Sequence, residues 1–426
     1  QFSSWGGGCA IVGAVSIALA GARDLKEPMS FLRVDDLYKI FGPRPESVLE
    51  RARAGQRRSD IQADTGHVVA VSGVTFAVEA GEFFVIMGLS GSGKSTIIRM
   101  INRLVEPTAG RISLDDVEIT ALDKPELRRL RQQRISMVFQ HFALFPHRTV
   151  GENVAYGLAV QGVEEAERTR RTREALELVG LDGWADSYPD ELSGGMKQRV
   201  GLARGLATEA DVLLMDEPFS ALDPLIRREM QDLLLRLQRE LHRTIVFITH
   251  DLNEAMRLGD RIAMLKDGQI VQIGTGPEIL RNPANEYVSS FVADVDRSRV
   301  LTAGEAMRRP RRTFSPTDSP QEVLDWLADQ EFNGAYVLDE HGRILGVARD
   351  DRLAQGIARG DRDISDLLID DYAGVTRDTP LAELAGYAAL NSVPIAVVDD
   401  RGVLEGVVPR ARLLAALSAK EVRVDA

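Results

Sequence analysis

The chain has 426 residues, enough for two or three domains, with the 44% apolar and 27% charged content of an ordinary globular protein. Its net charge of −12 argues against nonspecific nucleic-acid binding, because a phosphate backbone attracts basic surfaces. The single cysteine, Cys9, excludes an internal disulfide framework and a cysteine-based zinc site, and suits a reducing compartment.

Residues 9–20 form an apolar run too short to span a bilayer as a helix, and no basic residue precedes it as in a signal peptide. With Met29 just ahead of the first strand-like segment, residues 1–28 are expected to be an extension outside the fold. Residues 31–41 alternate as a strand does and stop at Gly42-Pro43. Residues 43–67 are polar and read as an inserted helical excursion, after which 68–79 return to the β pattern. An apolar run at 83–87 feeds a glycine-rich loop, and a helix starts directly after it. Further strands are expected at 111–114, 117–119, 135–139, 212–215 and 244–248, with a hairpin at 261–273 turning on Asp267-Gly268. Helices are expected at 124–133, 150–161, 164–179, 193–208 and 224–241. Beyond residue 298 the segments 335–347 and 395–407 resemble each other, each reading strand, Asp/Gly turn, strand, then helix. A Pro-led helix precedes each, so an internal repeat of two small α/β units is expected.

The loop Gly88-Leu89-Ser90-Gly91-Ser92-Gly93-Lys94-Ser95-Thr96 fits the phosphate-binding pattern G-x-x-x-x-G-K-[ST]. Its glycines let successive N–H groups point inward as an anion nest, backed by the positive end of the following helix. Lys94 is expected to reach the β- and γ-phosphates of a nucleotide, and Ser95 to place its hydroxyl on Mg²⁺. The apolar run 212–215 ends in Asp216-Glu217. That places Asp216 beside Mg²⁺ and leaves Glu217 to polarise the attacking water. Leu192-Ser193-Gly194-Gly195-Met196-Lys197-Gln198-Arg199 opens a helix and makes a second anion nest. One nucleotide needs only one γ-phosphate nest.

The second nest closely resembles the signature of ATP-binding-cassette (ABC) ATPases, in which this loop closes over the nucleotide held by the other subunit. Several further positions match that family in order. Gln140 matches the glutamine that touches Mg²⁺ and relays to the membrane partner, and Asp223 in Ser220-Ala221-Leu222-Asp223 matches the loop across the dimer interface. His250 matches the histidine that contacts the γ-phosphate, and Phe41 the aromatic that stacks on adenine, with Tyr38 the competing candidate. The implied fold is α/β: an ABC-type P-loop NTPase over 29–297, with a mixed sheet core and a helical subdomain at about 141–210. The implied site is catalytic Glu217, His250 and Gln140, nucleotide-binding Phe41, Gly88, Ser90, Gly91, Ser92, Gly93, Lys94, Ser95 and Thr96, and Mg²⁺ at Ser95, Gln140 and Asp216. Ser193, Gly194, Gly195 and Gln198 would act on the other subunit's ATP.

Within the family the chain resembles ATPase subunits of importers for glycine betaine, proline betaine, choline and related quaternary amines. The similar stretches are the 43–67 insertion, Ile101-Asn102-Arg103-Leu104-Val105-Glu106-Pro107-Thr108, Tyr188-Pro189-Asp190-Glu191-Leu192, Ala221-Leu222-Asp223-Pro224-Leu225-Ile226-Arg227 and Asn282-Pro283-Ala284-Asn285. That group often ends in a tandem of cystathionine-β-synthase-type (CBS) domains, expected here at about 298–360 and 361–426. A regulatory nucleotide would sit at Asp350 or Asp351, since the second repeat has Pro409-Arg410-Ala411 at that place. The alternative is a dimerising or ionic-strength-sensing pair without ligand. The Arg308–Arg312 cluster reads as a solvated basic linker or a contact for anionic lipid. The resemblance implies a homodimer, integral membrane permease subunits and an extracytoplasmic substrate-binding protein, with no nucleic acid, at the cytoplasmic face of the inner membrane. The aromatic loop 141–147 suits docking of a membrane-domain helix. Competing readings are another cargo such as an amino acid, or a soluble ABC ATPase. The second would show two cassettes, long heptads or cysteine pairs, none of which is present.

Overall fold

The structure, a computed structural model, describes residues 31–140, 143–293, 295–370, 372–390 and 393–417. The 1–28 extension and the His141-Phe142 part of the aromatic loop lie outside the described residues.

The strands in chain order are β1 (Leu32–Phe41), β2 (Val68–Val78), β3 (Phe83–Met87), β4 (Ala109–Leu114), β5 (Val117–Glu118), β6 (Ile135–Val138) and β7 (Val212–Asp216). They continue as β8 (Thr244–Thr249), β9 (Arg261–Lys266), β10 (Gln269–Gly274), β11 (Gly334–Leu338), β12 (Ile344–Arg349), β13 (Gly374–Val375), β14 (Ile395–Val398) and β15 (Leu404–Val408). A six-stranded sheet runs in the order β10-β9-β3-β8-β7-β6, parallel except for the β9–β10 hairpin. A separate four-stranded antiparallel sheet has the order β2-β1-β4-β5.

The central strands β3, β7 and β8 are buried along their whole length, as expected where both faces of a parallel sheet are covered. Side-chain alternation then splits them between two cores. Phe83, Val85 and Met87 join Leu213, Met215 and Phe247 in one core, shared with the helices Val150–Gln161 and Gly194–Ala207. Phe84 and Ile86 join Leu214, Ile248 and the helix Lys94–Ile101 in the other, beneath the antiparallel sheet. Phe76 stacks on Phe84 at 5.0 Å between ring centres and ties the two sheets together.

The insertion forms a short 3₁₀ turn and two helices, Leu49–Arg53 and Arg58–Thr65. It packs Val48, Ala52 and Ile61 against Tyr38 and Ile40 of β1. A shift of register between Val34 and Leu37, with Asp36 at φ +46°, breaks the alternation of β1 and turns both Leu37 and Tyr38 inward.

In the C-terminal half, β11–β12 and β14–β15 are antiparallel hairpins followed by the helices Asp350–Arg359 and Arg410–Leu417. Asp339 accepts the N–H groups of His341 and Arg343 in the first turn, and Asp399 those of Arg401 and Val403 in the second. The repeat seen in the sequence is therefore a repeat of turn chemistry. The two hairpins meet where Arg343 bridges to Val403 and where Tyr336 donates a 2.6 Å bond to the Pro394 carbonyl. Among the described residues no helix is long and apolar enough to cross a membrane.

Candidate functional site

The parallel sheet brings the ends of β3, β7 and β8 side by side, and the loops leaving them carry the chemistry. After β3 the chain curls through Gly88–Gly93, and Gly93, at φ +106°, starts the helix Lys94–Ile101. A Cβ on Gly93 would stand 2.5 Å from the Ala70 carbonyl oxygen, so the loop closes only with glycine there. Gly93→Ala is expected to cost about 2 kcal/mol or more, since it meets both a left-handed φ and a backbone clash. A fall of several degrees in Tm, read by thermal melting, checks it.

Lys94 is 4% exposed and donates to the carbonyls of Gly88 at 2.9 Å and Leu89 at 3.1 Å. Its Nζ also lies 3.6 Å from Glu217 Oε1. Burial pushes the Lys94 ammonium below its usual range, and the neighbouring Glu217 and Asp216 oppose that shift. Ser95 donates a 2.7 Å bond to Asp216 Oδ1, while Arg99, one helical turn further on, reaches Oδ2 at 3.2 Å. Asp216 is 2% exposed, so these two contacts are what hold a buried carboxylate in place.

Glu217 takes φ +46°, a conformation that non-glycine residues adopt only when the surroundings impose it. Its N–H donates to Ile248 O at 3.2 Å, and His250 Nδ1 stands 3.0 Å from Oε2. Gln140 donates to Ser220 Oγ at 3.3 Å, and Ser220 donates to the Glu217 carbonyl at 3.0 Å. Residues from four separate stretches thus converge on Glu217: the phosphate loop, Gln140 after β6, Ser220 and His250.

The Ser193-Gly194-Gly195 stretch is not part of this cluster. Ser193 caps its own helix by accepting the Met196 N–H at 3.3 Å, and among the described residues no hydrogen bond joins it to the phosphate loop. Ser193 and Gly194 are exposed, and a Cβ on Gly195 would strike Ile226 at 2.5 Å. Gln198 is buried, with its Oε1 unpartnered. Asp223 caps the helix Pro224–Leu241, accepting from Leu225 and Ile226 at 3.1 Å.

Phe41 is 44% exposed with Lys39 Nζ 4.9 Å from its ring centre, whereas Tyr38 is sealed beneath the insertion. Of the two aromatic candidates only Phe41 has an exposed ring. In the C-terminal half Asp351 is exposed and pairs with Arg349 at 3.4 Å. The cleft between the two repeats, about 280 Å³, is lined by Phe332, Gly334, Pro394, Pro409 and Arg410 among others, and not by Asp351.

Arg99, the bond from Gln140 to Ser220 and the buried Glu254 are contacts that the motifs do not announce. Arg99 was accessible from spacing alone, because positions i and i+4 share a helix face with Ser95. The bond from Gln140 to Ser220 and that from Gln231 to Glu254 join stretches 80 and 23 residues apart, and local pattern carries no such signal.

The ABC transporter family profile matches residues 71–220. The glycine betaine/carnitine transport ATP-binding protein of Listeria monocytogenes is 46% identical over 93% of this chain and 100% of its own length. The glycine betaine transport ATP-binding protein of Bacillus subtilis is 48% identical over 93% of this chain and 94% of its own. Among solved structures, cbiO1 from Clostridium perfringens, part of the ABC transporter complex cbiONQ, superposes with a TM-score of 0.50 at 28% identity, covering 60% of this chain and 92% of that one. Fold and site together define an ATP-binding cassette with a P-loop. The chain belongs to the ATP-binding subunits of ABC transporters, enzymes that couple ATP hydrolysis to transport.

Proposed function

We propose that this chain drives import of quaternary-amine osmolytes, with glycine betaine first among proline betaine, choline and proline. The observation that carries this reading is the 46% identity to the Listeria glycine betaine/carnitine subunit over 93% of this chain and the full length of that one. It works as a homodimer at the cytoplasmic face of the cell membrane, beneath permease subunits that receive cargo from an extracytoplasmic binding protein. Residues 29–297 are the ATPase and 298–426 a tandem CBS module that regulates it.

In this reading Phe41 stacks on the adenine, and the N–H groups of 88–96 with Lys94 hold the phosphates. Ser95 and Asp216, 2.7 Å apart, offer with Gln140 the hard oxygen donors that fit Mg²⁺, which when bound neutralises charge on the β- and γ-phosphates. Glu217 accepts the proton of the attacking water, and His250 orients Glu217 and the γ-phosphate. Ser193 and Gly194 are exposed and available to the second copy's ATP, with Gly195 and Gln198 buried behind them, and Asp223 belongs to the segment across the dimer interface. A groove of about 550 Å³, lined by Gly151, Glu152, Ala155, Thr172 and Leu176, supports docking of a short permease helix.

The test is uptake by the assembled transporter in vesicles, with radiolabelled glycine betaine, choline, proline and a neutral amino acid, at several ionic strengths. Betaine accumulation that requires ATP and responds to salt is the expected result. Accumulation of the amino acid alone would reassign the cargo, and indifference to salt would reject regulation by ionic strength.

A further inference from the structure

Behind the site lies a buried carboxylate that the hydrolysis scheme above leaves unused. Glu254 belongs to the helix Leu252–Leu258, just after β8, and is 6% exposed. Its Oε2 accepts a 2.6 Å bond from the hydroxyl of Thr249, the residue before His250. Its Oε1 accepts a 3.1 Å bond from Gln231 on the helix Pro224–Leu241. Thr249 Oγ1 also accepts the Asp251 N–H at 3.0 Å, so one hydroxyl brackets the backbone on both sides of His250. The Arg227 guanidinium completes the arrangement. Its Nε, buried and without a hydrogen bond, lies 3.8 Å from Glu254 Oε1, and Nη1 lies 3.5 Å from Asp251. Nη2 donates to the Leu222 carbonyl at 3.2 Å, within the Ser220–Asp223 segment.

An apolar side chain at 254 would pack without the desolvation cost of a carboxylate, so what the carboxylate adds is direction. We propose that Glu254 is a positioning residue for ATP hydrolysis: through Thr249 it aims the His250 ring at Glu217, and through Arg227 it ties that aim to the Ser220–Asp223 segment. The two sides of the site therefore move as one unit when the segment shifts. Burial pushes the Glu254 carboxyl upward, and the Thr249 bond draws it back down. The proposal rests on the roles of His250 and Glu217 given above.

The experiment is steady-state ATP hydrolysis by the full chain in a mutant cycle. Glu254→Ala is expected to lower kcat about tenfold or more, with KM for ATP changed less than about twofold, because the group acts in the hydrolytic step and not on nucleotide binding. Placed in a His250→Ala background, the same substitution should change kcat less than about twofold, since its effect passes through that ring. Thr249→Val, which removes only the hydroxyl, is expected to show the same dependence on His250, and it decides the question if Glu254→Ala fails to fold. Losses that multiply with that of His250→Ala overturn the proposal and make Glu254 a packing residue. A His250→Ala variant with unaltered kcat instead overturns the reading of His250 itself.

Discussion

Glu217→Gln is expected to bind ATP at least as tightly as the parent chain while its turnover falls about 10²- to 10⁴-fold, the range a positioned general base contributes. The amide has the same shape and can keep one contact to His250, which stands 3.0 Å from Oε2. It cannot accept the proton of the attacking water. Loss of the negative charge also removes a repulsion against the γ-phosphate, so affinity should not suffer. The substitution leaves the backbone N–H bond to Ile248 and the left-handed φ of residue 217 untouched, so the fold should be preserved. Equilibrium binding of ATP with Mg²⁺ and a phosphate-release assay on the same preparation check both halves. Undiminished phosphate release would remove Glu217 from the role of base.

Lys94→Ala should act on the other half of the reaction, weakening ATP binding about tenfold to a hundredfold. Charge-assisted hydrogen bonds are worth roughly 1.5–3 kcal/mol each. The variant also leaves Glu217 Oε1, now 3.6 Å from the ammonium, facing the phosphates without its counter-charge. Lys94→Arg is expected to rescue little, because the site encloses a compact ammonium between two carbonyls and has no place for a planar fork. Titration of a fluorescent ATP analogue measures the loss. An unchanged dissociation constant would show that the backbone N–H nest alone holds the phosphates.

Much of this molecule is written in local pattern. The helices Lys124–Gln133, Val150–Gln161 and Pro224–Leu241 coincide with the ranges read from periodicity, because each begins at a strong cap: Asp123, Thr149 and Asp223. The phosphate loop was legible for a similar reason. Its glycines answer a steric demand of the turn itself, as the 2.5 Å approach to Ala70 at Gly93 makes plain. What local pattern misjudged was β1, where strict alternation from Leu32 and Val34 would bury Asp36 and expose Leu37; the irregularity turns Asp36 outward and buries Leu37 beside Tyr38, while Phe41 stays at the surface.

Residue identity and spacing by themselves determined the phosphate loop, the acidic strand end at Asp216-Glu217, the second nest at Ser193-Gly194-Gly195 and the repeated turn at Asp339 and Asp399. Each of these is a contract between a few neighbours along the chain. Only the tertiary structure decided that β3, β7 and β8 lie side by side, and with that which residues meet Glu217. It set Lys94 and His250 on the two oxygens of Glu217, placed Arg99 on Asp216, and joined Glu254 to Gln231. The physical reason is that strand order is settled by burying apolar faces on both sides of the sheet. That global requirement brings Lys94 and Arg99 to carboxylates more than a hundred residues away, which no spacing rule along the chain can anticipate.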